Sequence, residues 1–578
     1  MKHPLAPRDV PLPALLTILC ALALPAASAA AGLDRESNLY EVLEWAVDAV
    51  EYTGNPFEEA ASVTFTHAES GETRRTGMFY DEDNTWRFRF TGVRSGAWTF
   101  VSQSGNARLD GISGTVTVNP DPAARGFLRV SGSEIAVPVG SEDNLKPFLF
   151  HVYMDEFNYR TNGVYGDGLI DWLPNVEARM RAYCIAAREQ GFNVVFINPH
   201  VQWFGLGATR STDFRTSDPN PDPRTFRVVE SMIRTAREEG LHLHFWLWGD
   251  EDRHWTQILL GGINGVPDKR LLRYMAARLG PMPGWSVGYG FDLFEWVQPG
   301  QVAAWADYFR AQKGWNSLLM AREEAGFSTP ANMDVYSTDR RFTANWYSTG
   351  LIDLHHPGNR PVLYSRRWLF QRDGYDMDAT RRSLWQFTMA AGSGVAGWYG
   401  PPWSSAGSYP HPEQLATYGR FWHNRLELGM LRDNPRNQSG GVSFALRNAD
   451  NTLFFFYTEN RSSMTIDLYG ASGPMRAVAI NTKDAYAEID LGELGGGTHT
   501  FDLGTLSDWA ITVSAESPTA PGEWAGFPLT DGWADTGGFM GFVHPVGDYV
   551  YVWSLRSWLY LPEEHVGGAG AWAFWLRQ

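Results

Sequence analysis

Asp292 and Glu295 stand three residues apart in an aromatic run, WSVGYGFDLFEW (285–296), and a second acidic group, Asp250, Glu251 and Asp252, closes another, LHLHFWLWGDED (241–252). Two carboxyl groups flanking a bond are what glycoside hydrolysis needs. One is held protonated as the acid, and the other is ionised as nucleophile or as base toward water. The residues at the ends of neighbouring runs are of the kinds that hold sugars. Trp203, Trp246, Trp248, Tyr289 and Trp398 offer ring faces, His200 offers hydrogen bonds, and Arg322 and Arg366 offer planar guanidinium forks. Asp292 and Glu295 are the leading catalytic candidates, with Asp250 next. Glu295 also fits a plain structural role, a negative charge at a helix start favoured by the dipole. His200, His242 and His244 read as structural or substrate-binding, because no H-x-x-x-H or matching cysteine set accompanies them. No metal and no cofactor is expected. The absence of a G-x-S-x-G elbow weakens an esterase reading.

These residues need a scaffold that brings strand ends together. Between 148 and 400 a short apolar run alternates with a helical pattern eight times, at 148–156, 193–200, 241–252, 285–292, 317–323, 333–339, 361–367 and 394–400. Continuous apolar strands with intervening helices predict a parallel sheet covered by helices. Eight of them predict a closed (β/α)₈ TIM barrel, whose active site lies at the strand C-termini. An open doubly wound sheet is the alternative, but no Gly-rich phosphate turn follows any run. Several helical patterns, such as 176–191 and 225–240, stop at glycine.

The chain of 578 residues is long enough for several domains. Residues 1–29 read as a signal peptide: Lys2 and Arg8 precede an apolar stretch, and Ala27-Ser28-Ala29 form a cleavage pattern. Cys20 lies inside it, and Leu19 is a poor lipoprotein match. The one remaining cysteine, Cys184, sits in a helical pattern and reads as a small buried residue. Short alternating runs predict an N-terminal β-sandwich at 39–131, ahead of the barrel at 145–430. A C-terminal β-sandwich follows at 435–516, then a small aromatic-rich β module at 524–578. In that module, period-two aromatics from Phe539 to Pro562 predict hairpins whose rings form either a core or an interaction face. The net charge of −17 argues against a nucleic-acid partner, which would select a basic footprint. The 25 tryptophans suit sugar stacking as well as packing.

Several segments carry a family resemblance. TGNPFEE, FYDEDNTWRFRFTGVRSGAWTF and GTVTVNPDPAARGFLRV resemble the β-sandwich of unknown function that precedes barrels in bacterial secreted glycoside hydrolases. TRRSLWQFTMAAGSGVAGWYGP (380–401) is similar to the last helix and strand of those barrels, and the strand-rich segment from Gly440 to their small C-terminal sandwich. DGWADTGGFMGFVHPVGDYVYVWSLRSWLYLPEE resembles an aromatic C-terminal motif of exported proteins from Verrucomicrobia-like bacteria. The resemblance implies an exported hydrolase, secreted, periplasmic or cell-surface, with a polysaccharide or oligosaccharide as partner and the cell envelope as an association site for the last module. In that clan the acid follows strand four, which suits Asp292 or Glu295, and a glutamate ends strand seven. Here Tyr364, Ser365, Arg366 and Arg367 stand at that place, and the next carboxylate is Asp373. The departure leaves open a non-catalytic carbohydrate-binding relative. A lyase with a His or Tyr base is a further alternative.

Overall fold

A computed structural model describes residues 33–153, 168–207, 218–248, 261–290, 292–323, 326–338, 346–348, 360–364, 376–391, 398–399, 411–433 and 442–515, with short pieces between 523 and 575. The expected signal peptide lies outside the described residues.

The site is carried by an eight-stranded sheet: β1 (Val152–Tyr153), β2 (Val194–Ile197), β3 (His242–Trp246), β4 (Trp285–Gly288), β5 (Leu319–Glu323), β6 (Val335–Thr338), β7 (Val362–Tyr364) and β8 (Trp398–Tyr399). Neighbours run in the order β7-β6-β5-β4-β3-β2-β1-β8, and every recorded pair is parallel. Every residue of β2, β3 and β4 is buried, as a parallel sheet covered on both faces demands.

Helices fill the connections: α1 (Val176–Glu189), α2 (Pro223–Glu238), α3 (Val266–Leu279), α4 (Pro299–Gln312), α5 (Met377–Ala391) and, after β8, α6 (Pro412–Trp422). Asp222 caps α2 by accepting from the Arg224 amide at 2.9 Å, with Pro223 opening the first turn. Gly240, at φ +77°, turns the chain out of α2 into β3. Cys184 is buried on α1.

Side chains sort by strand parity. Leu243, Phe245, Trp285 and Tyr289 face the helices; Phe245 stacks on Trp285 at 5.3 Å, and the Trp285 indole donates to the Leu279 carbonyl of α3 at 2.8 Å. His242, His244, Trp246, Ser286 and Gly288 share the other face through the β3–β4 register. There Phe150, leading into β1, meets His242 and His244 of β3 at 5.8 and 5.5 Å, across the intervening β2. Contacts between alternate strands require a curled sheet, because a flat one would hold them roughly two strand spacings apart.

Ahead of this sheet, a five-stranded sheet containing Ala61–His67 and Gly96–Ser104 faces a three-stranded one containing Val42–Val47 and Trp86–Thr91. Trp45 stacks on Phe88 at 5.0 Å, and Phe65 on Phe90 at 4.2 Å. Trp315, just before β5, is buried in the same core and donates to the Thr91 carbonyl at 2.9 Å. Arg89 and Arg278 both bond Glu230 of α2, and Arg278 also reaches Asp81, so a buried charge network ties this region to the helices.

After α6, six antiparallel strands form one sheet dominated by Leu453–Asp467 and Thr498–Ser514, with register shifts near Arg461. Tyr457 stacks on Trp385 of α5 at 5.2 Å, and buried Asp508 binds Arg381 and Arg382 of the same helix. The last module is a meander of seven short strands, each antiparallel to the one before. Its core is mainly aliphatic, with Val543, Val550, Val552 and Leu559 buried. Phe542, Tyr549, Trp553 and Trp558 remain exposed.

Candidate functional site

The polar groups gather where β3, β4 and β5 end. Arg322, next to last in β5, is buried, and its guanidinium donates to Asp292 Oδ1 at 3.0 Å. The guanidinium carbon also lies 5.8 Å from the ring centroid of Trp246, the last residue of β3. Gly288 makes this approach across β4 feasible. A Cβ there would stand 2.6 Å from Trp246 Cδ1 and 3.4 Å from His244 Nε2. Trp246 packs edge-on against Phe196 of β2 at 4.9 Å, so the indole is wedged between β2 and the cation of β5.

Asp292 adopts a left-handed conformation, φ +51°, uncommon outside glycine but accessible to aspartate. It is half-buried and opens the short turn Leu293–Glu295, in which the Glu295 amide donates to the Asp292 carbonyl at 3.0 Å. Glu295 itself is exposed. One turn thus presents two carboxylates, Asp292 half-buried against a guanidinium and Glu295 at the surface. Two carboxylates in one turn, one of them hydrogen-bonded to a guanidinium, are the kind of groups that acid, base or nucleophilic roles require.

Below this cluster the interior is polar but neutral. His242 Nε2 and His244 Nδ1 lie 3.0 and 2.9 Å from Ser286 Oγ. Burial pulls both imidazoles below their ordinary range, His244 to about 3. They are uncharged packing partners of the shared hydroxyl. Among the described residues no three His, Cys, Asp or Glu side chains are gathered as metal ligands would be.

Two expected lining residues are corrected. Trp203 is fully buried, donates its indole N–H to the Leu247 carbonyl at 2.9 Å, and packs on Phe226 of α2 and Phe245 of β3. It belongs to the sheet–helix layer because the turn after β2 folds back over α2. Tyr289 is equally buried, stacked on Trp296 at 5.6 Å and edge-on to Trp305 of α4 at 4.9 Å. Parity explains it: Tyr289 shares the outward face with Trp285 and Val287. Trp248 is buried and parallel to Phe204 at 6.4 Å. His200 lies in the turn His200–Phe204 after β2, and Trp398 opposes Val152 in β8; their side chains lie outside the described residues. Asp155, Glu156, Asp250, Glu251, Asp252, His254, Asp339, Arg366, Arg367 and Asp373 lie outside them as well. Gly288 is a site residue that sequence reasoning misses; its signal is a glycine register-paired with a tryptophan on one strand face.

Residues 36–105 match the family described as Domain of unknown function (DUF5060). No curated protein matches the chain. Among solved structures, a glycoside hydrolase-like protein from Bacteroides vulgatus has a TM-score of 0.62 at 13% identity, covering 83% of this chain and 99% of its own. A family 5 glycoside hydrolase from the same species has a TM-score of 0.49 at 15% identity, covering 67% of this chain and 93% of its own; at that score it adds no argument. Identities this low speak to fold alone. The chain therefore has a mixed α/β fold like that of glycoside hydrolases, with its curled parallel sheet at the centre and a DUF5060 domain ahead of it.

Proposed function

We propose that the chain is an exported glycoside hydrolase that cleaves a plant or algal polysaccharide by two-carboxylate hydrolysis. Its parallel sheet would close into a (β/α)₈ barrel between sandwich-type flanking domains. The observation that carries this reading is the cluster of Asp292, Arg322 and Trp246 at the C-terminal ends of β3, β4 and β5, with Glu295 in the same turn. In a barrel those ends form the mouth where substrates bind. Glu295 serves as the acid that protonates the leaving oxygen. Asp292, hydrogen-bonded to Arg322, serves as base or nucleophile, and the carboxyls outside the described residues, Asp250 first, are its alternates. Envelope or glycan association belongs to the last module, on the strength of its exposed aromatic row.

A second reading is supported by β7. It ends in Tyr364, whose ring stacks on Phe387 of α5 at 3.8 Å, and no carboxylate occurs from 361 to 372. On that reading the protein binds glycans without cleaving them. A polysaccharide panel with wild type, Asp292→Asn and Glu295→Gln separates the two. Hydrolysis by wild type, lost at least ~100-fold in a folded variant, supports the enzyme, since acid–base groups typically contribute 10²–10⁴-fold. Tight binding without product from any panel member refutes it in favour of the binder.

A further inference from the structure

At the opposite end of the curled sheet lies a cavity of about 290 Å³. Ser317 and Leu318, which enter β5, and Asp334, which precedes β6, form one wall; Leu128 and Arg129 of the N-terminal region form the other. Three cationic side chains, Arg129, Arg310 and Lys313, line it against a single carboxylate. That carboxylate is already committed: Asp334 accepts from Arg310 at 2.8 Å and from the Leu319 amide at 2.7 Å. Lys313 Nζ donates to Ser317 Oγ and O at 2.6 and 3.1 Å, which leaves one of its three N–H groups without a protein acceptor among the described residues. Among the described residues the Arg129 side chain donates to the Glu142 carbonyl, and the Glu142 carboxylate, which also attracts Arg129, lies 3.5 Å from Arg74. Neither Arg129 nor Lys313 has a carboxylate within ion-pair distance among the described residues.

Three cationic side chains around one committed carboxylate give the cavity an excess of positive charge that an anion would neutralise. Burial pulls the Lys313 ammonium down to about 7, opposed by Asp334 and reinforced by Arg310, and its Nζ lies 4.9 Å from the Phe309 ring centroid. Donors for an anionic group, hydroxyl-sized polar partners at Ser317 and an apolar side at Leu128 share the space. Its volume falls just short of the ~300–1,000 Å³ range of ligand sites, which suits a small ligand.

We propose that this cavity is a second ligand site, separate from the Asp292 cluster, which binds a small hydroxylated anion of the sugar-acid or sugar-phosphate class. Arg129 and Lys313 hold the anionic group, and the bound molecule bridges the N-terminal region to the sheet. The inference does not rest on hydrolysis and stands if the protein cleaves nothing.

Isothermal titration calorimetry of the full chain tests it with glucuronate, glucose 6-phosphate, inorganic phosphate and, as neutral control, glucose. Binding of glucuronate or glucose 6-phosphate is expected, weakening as salt rises, with no binding of glucose. Glucuronate alone identifies a carboxylate ligand; glucose 6-phosphate with phosphate identifies a phosphorylated one. Lys313→Met and Arg129→Gln should each weaken binding at least tenfold, while Lys313→Arg retains it. Near-UV circular dichroism checks each fold; if Lys313→Met fails to fold, Arg129→Gln and Lys313→Arg carry the test. No binding of any anion at millimolar concentration, glucose binding as well as glucuronate, or affinities unchanged in the folded variants would each overturn the proposal.

Discussion

Gly288→Ala perturbs the candidate site through one methyl group. The new Cβ would sit 2.6 Å from Trp246 Cδ1 and 3.0 Å from its Nε1. Ordinary carbon contacts lie near 3.5–4.0 Å, so the indole must withdraw by about 1 Å. It has no free direction, being 3% exposed, edge-on to Phe196 and under Arg322. Overpacking of this kind costs about 1–3 kcal/mol, which for a domain of this size lowers the melting temperature by roughly 2–12 °C. The displacement passes to Arg322 and then to its partner Asp292, and a shift near 1 Å in a positioned group costs ~100-fold in turnover. Gly300→Ala is the matched control, because nothing lies within 4 Å of a Cβ there and the residue is inside α4. It should gain about 0.4–1 kcal/mol. Scanning calorimetry and oligosaccharide binding or turnover read both variants. If Gly288→Ala melts with wild type and handles substrate normally, the coupling from Trp246 through Arg322 to Asp292 is wrong.

The buried charges give further expectations. Glu230→Gln leaves Arg89 and Arg278 without their shared carboxylate and should cost about 3–5 kcal/mol, read as an earlier calorimetric transition. Replacing Arg89, Glu230 and Arg278 together by apolar residues of similar volume should cost less than that single change. Acid should act on two carboxyls. Neighbouring guanidinium groups more than offset burial and hold Glu230 and Asp508 at about 2, below ordinary values of 4.5 and 3.8. Their stabilisation, about 3 and 2 kcal/mol, is complete above pH ~4.5 and is lost as pH falls toward 2; Glu230→Gln should flatten that fall in urea titrations at stepped pH. Truncation after Ala515 should leave turnover of a soluble oligosaccharide unchanged and reduce retention on cells, measured by fractionation. Loss of turnover with the remainder folded would instead place the last module in the active site.

The parallel sheet was legible because its strands are buried on both faces and so appear as unbroken apolar runs separated by helical periodicity. Transitions in the central region are marked by short, strongly punctuated segments such as DPRTF and GLHLHFW, where a cap or a glycine limits the choice. The W-R-x-R-F segment pointed to the N-terminal domain, and residues 36–105 match a family on that stretch. The aromatic tail was harder to read. Alternation announced strands there, but which row packs inward depends on competition between valine and leucine on one face and tryptophan and tyrosine on the other. The aliphatic row forms most of the core, and several rings of the other row stay exposed.

The site was less legible than the fold because a strand end has two faces and position along the chain does not distinguish them. Trp203 and Tyr289 lie near strand ends, yet both pack between sheet and helices. Parity within β4 held the missing information. Ser286 and Gly288 are small and share a face, whereas Trp285, Val287 and Tyr289 are large and share the other. A curled sheet has less room on its inner face, so the small residues belong inside and Tyr289 outside. The same parity explains why β4 governs the site while contributing so little bulk to it. Its hydroxyl and its glycine leave a gap that His242, His244 and Trp246 fill from β3, and through that gap Trp246 reaches Arg322 of β5. Arg322 then holds Asp292, a carboxylate that β4 delivers just beyond its end. The acid cluster is therefore positioned from neighbouring strands, and changes in β3 or β5 should reach Asp292 as strongly as changes in its own turn.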